Sequence, residues 1–378
     1  MARDLATRSI TILVTTLTVG VTALMLTEGF LRISNIWVGR HSDTMFRIIE
    51  YDSLLGWKMK PNINEKIDLV DVEDIPVRSN REGFWDKEFS LEKSSGRCRI
   101  AFLGDSFTWG MGVSEEERFS NLVSSADPRW ESLNFGVPAY GIDQSLLLWQ
   151  SIAHRYQPNL VALTVYQNDY LDNSSLVRYG RRKPYFELSK EQKLEAKGIP
   201  VDKTDFWKEG IFNQIAPPYT SWFNEPVEHR SRIVHWFAKN SDAARAAYTF
   251  FRIRRTQKTE EIHNEEGKGG LGPLEKYQVE LLRLLVEQLE REAENAGTRL
   301  IVVLAGEPNP RFELQKEKFD QAGLTYVDAT TENLRNLSAG EFPIYQRFSR
   351  HWTSEAHRAV ANLLIQEIQK RGFCKSNP

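Results

Sequence analysis

The stretch RIAFLGDSFTWG, residues 99–110, decides the fold of this chain. Its first five residues form a short apolar run that ends at Gly104, a pattern typical of a buried parallel strand. The next residues place Ser106 on the turn between this strand and a helix. A serine at such a turn can present its hydroxyl at the edge of a sheet, beside the backbone amides that open the helix.

Strand and helix patterns alternate along most of the chain that follows. The predicted strands are residues 99–103, 132–135, 160–166, 299–305 and 325–327, and the predicted helices are residues 115–125, 143–154, 273–296, 310–321 and 354–371. Such alternation favours a parallel sheet with helices on both faces. We therefore expect an α/β fold over residues 97–372, with a doubly wound parallel sheet of five strands.

The interval 170–272 lies between the third and fourth predicted strands. It is too long for a structureless loop in a compact domain. It is rich in aromatic residues and contains helical patterns such as residues 230–239. We interpret it as a helical, aromatic insertion. Residues 30–96 carry short alternating stretches broken by prolines, which predict a β-rich lead-in, and residues 373–378 form a C-terminal tail.

Residues 9–27, SITILVTTLTVGVTALMLT, contain no charged side chain and lie between Arg8 and Glu28. As a helix they would span about 28 Å, just enough to cross the hydrocarbon core of a bilayer. The segment 1–29 is therefore predicted to be a transmembrane anchor with the lipid bilayer as its partner. A cleaved signal peptide is the alternative, but no A-x-A-like site stands near Ala23. Basic residues are nearly balanced on the two sides, and we expect the long C-terminal part to be extracytoplasmic, in the periplasm or at the cell surface.

The composition excludes some classes of function. Hydrophobic residues make up 41% of the 378 residues and charged residues 26%, which is ordinary for a globular protein. The net charge of −2 argues against nucleic-acid binding, which needs a concentrated basic face. The one notable basic run, Arg181 to Lys183, is interpreted as a solvated loop. The histidines show no spacing typical of a metal site, so we expect neither a metal nor a cofactor.

Ligands of open α/β sheets bind at the carboxyl ends of the strands, and polar residues stand there. Besides Ser106, the second strand ends in NFGVPAYGIDQ, residues 134–144, and the third ends in VYQND, residues 165–169. The amide of Asn168 is a good donor to a developing oxyanion. An ordinary Asn-Asp turn is its plainer interpretation.

Two histidines lie near the C-terminus in RHWTSEAHRAVA, residues 350–361. His351 stands just before the cap of the final helix, where a general base could reach the strand ends. His357 lies inside that helix and is expected to be a surface or packing residue.

The two cysteines could meet at one end of a doubly wound domain. Cys98 precedes the first core strand, and Cys374 follows the last helix. A helix that follows a strand runs back and ends at the edge where the strands begin. We predict a disulfide between these cysteines, which would suit an oxidising compartment. Two unrelated buried thiols remain the alternative.

The blocks GDSFTWG, NFGVPAYG, YQND and HWTSEAH, in this order, resemble those of the SGNH/GDSL hydrolase family. The lead-in LLGWKMKPN…VRSNREGF is similar to that of membrane-linked bacterial members, which are often associated with polysaccharide modification. The resemblance implies the flavodoxin-like SGNH hydrolase fold. It also implies Ser106 as the nucleophile and His351 as the general base that takes its proton.

The same resemblance implies an oxyanion hole and its surroundings. The backbone N–H groups of Ser106 and Ala139 and the side chain of Asn168 would line this hole. Asp105 and Asp169 would be supporting residues. Losing one oxyanion donor typically raises the barrier by about 3 kcal/mol.

Two departures from the family pattern lie in this oxyanion region. Ala139 stands in place of a glycine, which is tolerable if only its N–H is used and φ is negative. Tyr166 and Gln167 replace the glycine usually found before the Asn-Asp pair, and they would narrow or re-line the pocket.

A third departure concerns the partner of His351. The family has an Asp two or three residues before the histidine, where this chain has Phe348 and Ser349. A Ser-His dyad could work with a carbonyl or a distant carboxylate that orients the histidine, and Asp328, just after the fifth predicted strand, is the candidate substitute as orienting acid. Loss of this acid can cost about four orders of magnitude in rate, so a non-catalytic protein is a genuine alternative.

The sequence thus favours a serine esterase or O-acyltransferase whose substrate is a small acyl ester, above all acetyl, of a cell-surface glycan. Hydrolase and transferase share the acyl-enzyme step, so the sequence does not separate them. The alternatives are a catalytically impaired glycan-binding or scaffold protein of the same fold, and a coincidental motif set in another membrane-linked α/β domain.

Overall fold

The computed structural model describes residues 11, 14–27, 48–67, 74–178, 181–189, 193–203, 271–337, 342–346 and 350–374. Its strands are β1 (Ile49–Asp52), β2 (Gly56–Met59), β3 (Asn64–Ile67), β4 (Ile75–Arg78), β5 (Cys98–Leu103), β6 (Trp130–Asn134), β7 (Leu160–Val165), β8 (Val177–Arg178), β9 (Arg181–Arg182), β10 (Tyr185–Leu188), β11 (Leu194–Lys197), β12 (Arg299–Gly306) and β13 (Tyr326–Thr330). From Ser106 onward the α-helices are α1 (Ser106–Trp109), α2 (Phe119–Ser125), α3 (Ile142–Ser151), α4 (Asp169–Asn173), α5 (Pro273–Asn295), α6 (Pro310–Ala322), α7 (Thr331–Asn336) and α8 (Ser354–Arg371).

A parallel five-stranded sheet lies at the centre of the fold, in the order β6-β5-β7-β12-β13. Numbered along the chain, this is the 2-1-3-4-5 order of flavodoxin-like sheets. Every residue of β5 is buried, as in a sheet that is covered on both faces. The predicted doubly wound sheet of five strands is therefore confirmed.

Alternate residues of each strand enter two apolar clusters on opposite faces of the sheet. In β5, Ala101 and Leu103 join the cluster formed with α3, α5 and α6, whereas Ile100 and Phe102 join the cluster formed with α1, α2 and α8. This division follows from the two-residue period of a strand. Phe102 is fully buried, so its truncation to alanine would cost about 3–5 kcal/mol.

The strand register brings the carboxyl ends of the central strands to one edge. Leu103 of β5 is paired with Leu163 of β7, and Val165 of β7 is paired with Leu304 of β12. The segments that follow these three strands therefore leave the sheet side by side. The residues that the sequence singles out for chemistry lie on these segments.

One predicted helix, residues 115–125, is interrupted at Arg118. A 3₁₀ turn covers Glu115–Glu117, Arg118 has an extended backbone, and α2 follows. The guanidinium of Arg118 turns into the interior, where it donates to the Trp85 carbonyl at 2.5 Å and lies 4.8 Å from the Trp85 ring. A buried side-chain contact thus overrides the local helical pattern.

The lead-in forms two antiparallel hairpins, β1–β2 and β3–β4. Their apolar side chains surround Trp85 and are joined by Trp109 of α1. The indole N–H of Trp109 donates to Met59 Sδ at 2.8 Å. The lead-in therefore packs directly against the helix that carries Ser106.

The described start of the insertion forms two further hairpins, β8–β9 and β10–β11. It contacts the lead-in through a hydrogen bond of 2.7 Å from the Val201 N–H to the Ser53 carbonyl. The predicted helical stretch 230–239 and most of the aromatic residues of the insertion lie outside the described residues.

The predicted disulfide is present. Cys98, the first residue of β5, is bonded to Cys374, with 5.4 Å between the Cα atoms. Helix α8 ends at Gly372, whose left-handed backbone (φ +68°) closes the helix before the cysteine. The bridge ties the first core strand to the end of the chain, as predicted from the doubly wound topology.

The N-terminal residues 14–27 are helical and exposed. Among the described residues, no helix combines the length and the apolar character needed to cross a bilayer. The predicted span 9–27 extends into residues that are not described, so the anchor stays a prediction.

Candidate active site

The turn after β5 depends on Gly104. Its φ is +142°, and a Cβ atom there would lie 2.5 Å from Oγ1 of Thr108. Asp105 caps α1 by accepting a hydrogen bond of 2.9 Å from the N–H of Phe107. Ser106 is thus the first residue of α1, where a backbone N–H has no acceptor within the helix.

His351 is held by ordered residues on both sides. Trp352 forms an antiparallel bridge with Tyr345, and the Gln346 N–H donates to the His351 carbonyl at 2.7 Å. Thr353 then caps α8 with its side chain. The backbone of His351 is therefore held in place on the approach to the last helix.

The structure brings Ser106 and His351 together. Oγ of the serine and Nε2 of the histidine are 2.8 Å apart. The ring of Phe107 packs beside the imidazole, with 5.1 Å between the ring centroids. If Nδ1 carries the imidazole proton, Nε2 can accept the hydroxyl proton and activate the serine as a nucleophile.

Ala139 lies on the loop after β6. This loop packs against the turn between β5 and α1 that carries Ser106, here called the serine turn. The Val137 N–H donates to the Gly104 carbonyl at 3.1 Å, and a Cβ on Gly136 would lie 2.5 Å from the backbone N of Trp109. The condition of a negative φ at Ala139 is not met, because its φ is +67°. The alanine therefore adopts a conformation that favours glycine, at a cost of about 1–2 kcal/mol.

Asn168 follows β7 and has only 9% of its surface exposed. Its Nδ2 donates to Asp172 Oδ2 at 2.7 Å and, over a longer 3.4 Å, to Asp105 Oδ2. Its Oδ1 is buried and accepts no hydrogen bond from the described residues. The structure thus places the Asn168 amide next to the residue that precedes Ser106.

The two predicted supporting residues, Asp105 and Asp169, are almost fully buried. Asp169 Oδ2 accepts a hydrogen bond of 2.8 Å from the Tyr166 N–H and so fixes the turn that carries Asn168. Burial raises the pKa of Asp105 to about 6. Burial, together with the nearby carboxylate of Asp105, raises the pKa of Asp169 well above its ordinary value. Both groups therefore hold a proton more tightly than an exposed Asp.

Asp328 is not placed to orient His351, and this prediction is wrong. Its Oδ1 accepts hydrogen bonds from the Thr330 N–H at 2.9 Å and from the Thr330 hydroxyl at 2.5 Å. Its Oδ2 pairs with Lys316 Nζ at 3.1 Å. The cause is the length of β13, which continues to Thr330 and leaves Asp328 two residues short of the carboxyl edge.

His357 packs in the interior. Its Nδ1 accepts a hydrogen bond of 3.3 Å from the Phe119 N–H, and its ring stacks on Phe119. Burial, together with the positive charge of Arg118, lowers the pKa of His357 to about 3. A buried, neutral imidazole of this kind is a packing residue and not the base.

An aromatic rim borders the serine and the histidine; it consists of Phe107, Tyr166 and Tyr345. Tyr166 stacks on Phe107 with 4.0 Å between the centroids and meets Tyr345 edge-on at 6.5 Å. The guanidinium of Arg350 lies 5.1 Å from the Tyr345 ring, and its side chain is 65% exposed. The departure at Tyr166 therefore re-lines the site with aromatic surface.

Four charged residues are buried beside the site and were not predicted from the sequence: Asp143, Asp172, Arg178 and Lys183. Lys183 Nζ pairs with the Asp143 carboxylate, and Arg178 Nη1 lies 2.9 Å from Asp172 Oδ1. The prediction of a solvated loop is wrong at Lys183, because its ammonium compensates a buried carboxylate. The proximity of Asp172 to Asn168 could have been predicted from the sequence, since the two residues are four positions apart and thus lie on the same helical face.

Within the described ranges, no group of three or more His, Cys, Asp or Glu residues is arranged to hold a metal ion.

Comparisons with known proteins yield similar solved structures. A GDSL-like lipase from Bacteroides thetaiotaomicron is 10% identical, with 75% of this chain and 93% of that chain covered and a TM-score of 0.36. The lipase/acylhydrolase from Enterococcus faecalis is 12% identical, with 72% and 96% covered and a TM-score of 0.37. A member of the lipolytic protein G-D-S-L family from Veillonella parvula is 11% identical, with 72% and 99% covered and a TM-score of 0.36. No protein-family model and no curated protein matches the sequence significantly.

Proposed function

We propose that the protein is a serine esterase or O-acyltransferase of the SGNH/GDSL type that acts on small acyl esters, above all acetyl esters, of a cell-surface carbohydrate. The observation that carries the proposal is the 2.8 Å contact between Ser106 Oγ and His351 Nε2. It lies at the carboxyl edge of a parallel sheet, where ligands of such folds bind. Asn168, an uncharged donor, contacts Asp105, the residue before Ser106.

In the first half of the proposed reaction, Ser106 Oγ attacks the ester carbonyl and His351 Nε2 takes the hydroxyl proton. The carbonyl oxygen becomes an oxyanion in the tetrahedral intermediate. The N–H groups of Ser106 and Ala139 and the amide of Asn168 would stabilise it, each by about 3 kcal/mol. His351 then gives the proton to the departing alcohol, and the acyl group stays on Ser106.

In the second half, His351 removes a proton from the acceptor, which attacks the acyl carbonyl. The bond between the acyl group and Ser106 Oγ then breaks, and His351 returns the proton to this oxygen. Water as acceptor gives hydrolysis, and a sugar hydroxyl gives acyl transfer. The aromatic rim supports a sugar in this role, because the apolar faces of pyranose rings pack on aromatic side chains.

We further propose that residues 9–27 anchor the protein in a membrane and that the catalytic domain is extracytoplasmic. The Cys98–Cys374 disulfide supports this location, because such bonds persist in oxidising compartments. The location is tested by adding a protease to spheroplasts. The protease should degrade the domain while the spheroplasts remain intact. Degradation only after lysis would contradict it.

One observation favours a second candidate, a glycan-binding protein with impaired catalysis. Asp328, the candidate orienting acid, is bonded to Lys316 and Thr330 instead. Asp328, bonded in this way, does not supply the carboxylate with which a triad enzyme orients its histidine. The two functions differ in whether Ser106 turns substrate over.

The test uses the full-length protein in detergent with p-nitrophenyl acetate and an O-acetylated polysaccharide. Ser106→Ala should abolish turnover, and His351→Gln should lower kcat by about 1,000-fold or more. His154→Gln is the matched control, because this exposed histidine lies before β7, at the opposite edge of the sheet. Its kcat should equal that of the wild type.

The products separate the outcomes. Free acetate identifies a hydrolase, and acetyl groups on an added acceptor glycan identify a transferase. Polysaccharide binding without turnover would support the binding protein and reject the enzyme. Turnover that persists in Ser106→Ala would reject the assigned nucleophile.

A further inference from the structure

Four buried carboxylates lie close enough to shift one another's pKa, and each is no more than 3% exposed: Asp105, Asp143, Asp169 and Asp172. Two buried cations, Arg178 and Lys183, face them from the start of the insertion. So much buried charge is costly unless it is paired, which argues for a specific role. The contacts of Asp172 indicate what that role is.

Asp172 uses its two oxygens for two different partners. Oδ2 accepts the 2.7 Å hydrogen bond from Asn168 Nδ2, and Oδ1 lies 2.9 Å from Arg178 Nη1. Burial raises the pKa of Asp172, and the charge of Arg178 opposes this shift. Arg178 thereby favours the ionised carboxylate, which can only accept hydrogen bonds.

An ionised Asp172 fixes which end of the Asn168 amide faces it. The amide can turn by 180°, which would exchange its oxygen and its NH₂ group. In the turned orientation, the amide oxygen would face the Asp172 carboxylate, and the two groups would repel each other. The carboxylate therefore selects the orientation in which NH₂ lies on the Asp105 side, where Ser106 begins.

One of the two N–H bonds of this NH₂ group remains only weakly engaged. The first is committed to Asp172 at 2.7 Å. The second approaches Asp105 Oδ2 at 3.4 Å, which is long for a hydrogen bond to a carboxylate. This second N–H is the one that can donate to an oxyanion on the Ser106 side while the first stays bonded to Asp172.

We propose that Asp172, held by Arg178, is a positioning residue that orients the Asn168 amide as an oxyanion donor. This inference rests on the proposed function. The insertion thereby contributes to the reaction without touching the substrate, because it supplies Arg178.

The test is a double-mutant cycle on p-nitrophenyl acetate turnover by the full-length protein. Asn168→Ala should lower kcat by about 100-fold, as for loss of one oxyanion donor. Asp172→Asn, a neutral side chain of the same shape, should lower kcat about 10-fold through misorientation and leave KM within about 2-fold. In the double variant, kcat should equal that of Asn168→Ala, because the effect of Asp172 passes through the Asn168 amide.

The matched control is Asp86→Asn. Asp86 is also buried, and its Oδ2 accepts a hydrogen bond of 2.8 Å from the Asn134 N–H. Asp86→Asn should leave kcat unchanged both in the wild type and in Asn168→Ala. If Asp172→Asn does not fold, Arg178→Gln enters the same cycle with the same expectation.

A further fall of about 10-fold in the double variant would overturn the proposal, since a general structural defect multiplies with the loss of Asn168. A wild type whose turnover does not require Ser106 would overturn the proposed function, and this inference with it. If turnover depends on Ser106 but the effects of the Asp172 and Asn168 substitutions on kcat multiply, only the positioning role of Asp172 is rejected.

Discussion

Replacement of Lys183 by methionine should destabilise the protein strongly at pH 7.5 and only weakly at pH 5. The side chains of Lys183 and Asp143 are both fully buried and paired with each other. Methionine fills a similar volume but leaves Asp143 without its counter-charge. Breaking a buried ion pair from one side typically costs about 3–5 kcal/mol.

The pH limits this loss of folding free energy, because the unpaired Asp143 carboxyl can take up a proton. From an ordinary pKa of 3.8, protonation costs about 5 kcal/mol at pH 7.5 but about 2 kcal/mol at pH 5. Burial already raises the pKa of Asp143 to about 6, so the carboxyl is largely protonated at pH 5. The lost hydrogen bond from Lys183 Nζ to the Asp172 carbonyl, 3.1 Å, contributes about 1 kcal/mol at either pH.

The assay is urea unfolding followed by tryptophan fluorescence at both pH values. We expect the Lys183→Met variant to lose about 3–5 kcal/mol at pH 7.5 and at least 2 kcal/mol less at pH 5. Lys197→Met removes the exposed pair with Glu195 and should change neither value measurably. An equal loss of unfolding free energy at both pH values would refute the argument, because the loss would then arise from packing and not from charge.

Three further predictions concern stability. Ala139→Gly should raise the free energy of unfolding by about 0.5–1 kcal/mol, because it relieves a left-handed alanine, and a lower midpoint in urea would contradict this. Joint replacement of Cys98 and Cys374 by serine should lower the free energy of unfolding by about 3–5 kcal/mol, because the bridge joins residues 276 positions apart, and an unchanged melting temperature would count against this. Asp169→Asn should reduce the loss of stability between pH 5 and pH 8: a carboxyl whose folded-state pKa is raised stabilises the folded protein at low pH, and this contribution disappears as the pH rises through that pKa. Parallel slopes of melting temperature against pH in wild type and variant would disprove the last prediction.

The fold was largely predictable because its strands are continuous apolar runs between turn residues. All six residues of β5 are buried, and the run RIAFL ending at a glycine already indicated this. Boundaries were less predictable, since they depend on tertiary contacts. The strand predicted at residues 325–327 continues to Thr330 through its pairing with β12, and this extension removes Asp328 from the site.

The site was predictable in part. The structure brings Ser106 and His351 together, although 245 positions separate them along the chain. The backbone of Ala139 was not predictable, because the loop packed on the serine turn imposes its φ. The burial of Lys183 also had no local signal, since its partner Asp143 lies 40 positions earlier.

The most direct measurement of the central claim is the intact mass of the protein after reaction with a fluorophosphonate, followed by peptide mapping. We expect one phosphonyl adduct, located on Ser106, that is absent from Ser106→Ala and forms far more slowly in His351→Gln. An adduct on another residue, or no adduct on folded wild-type protein, would contradict the assignment of Ser106 as an activated nucleophile.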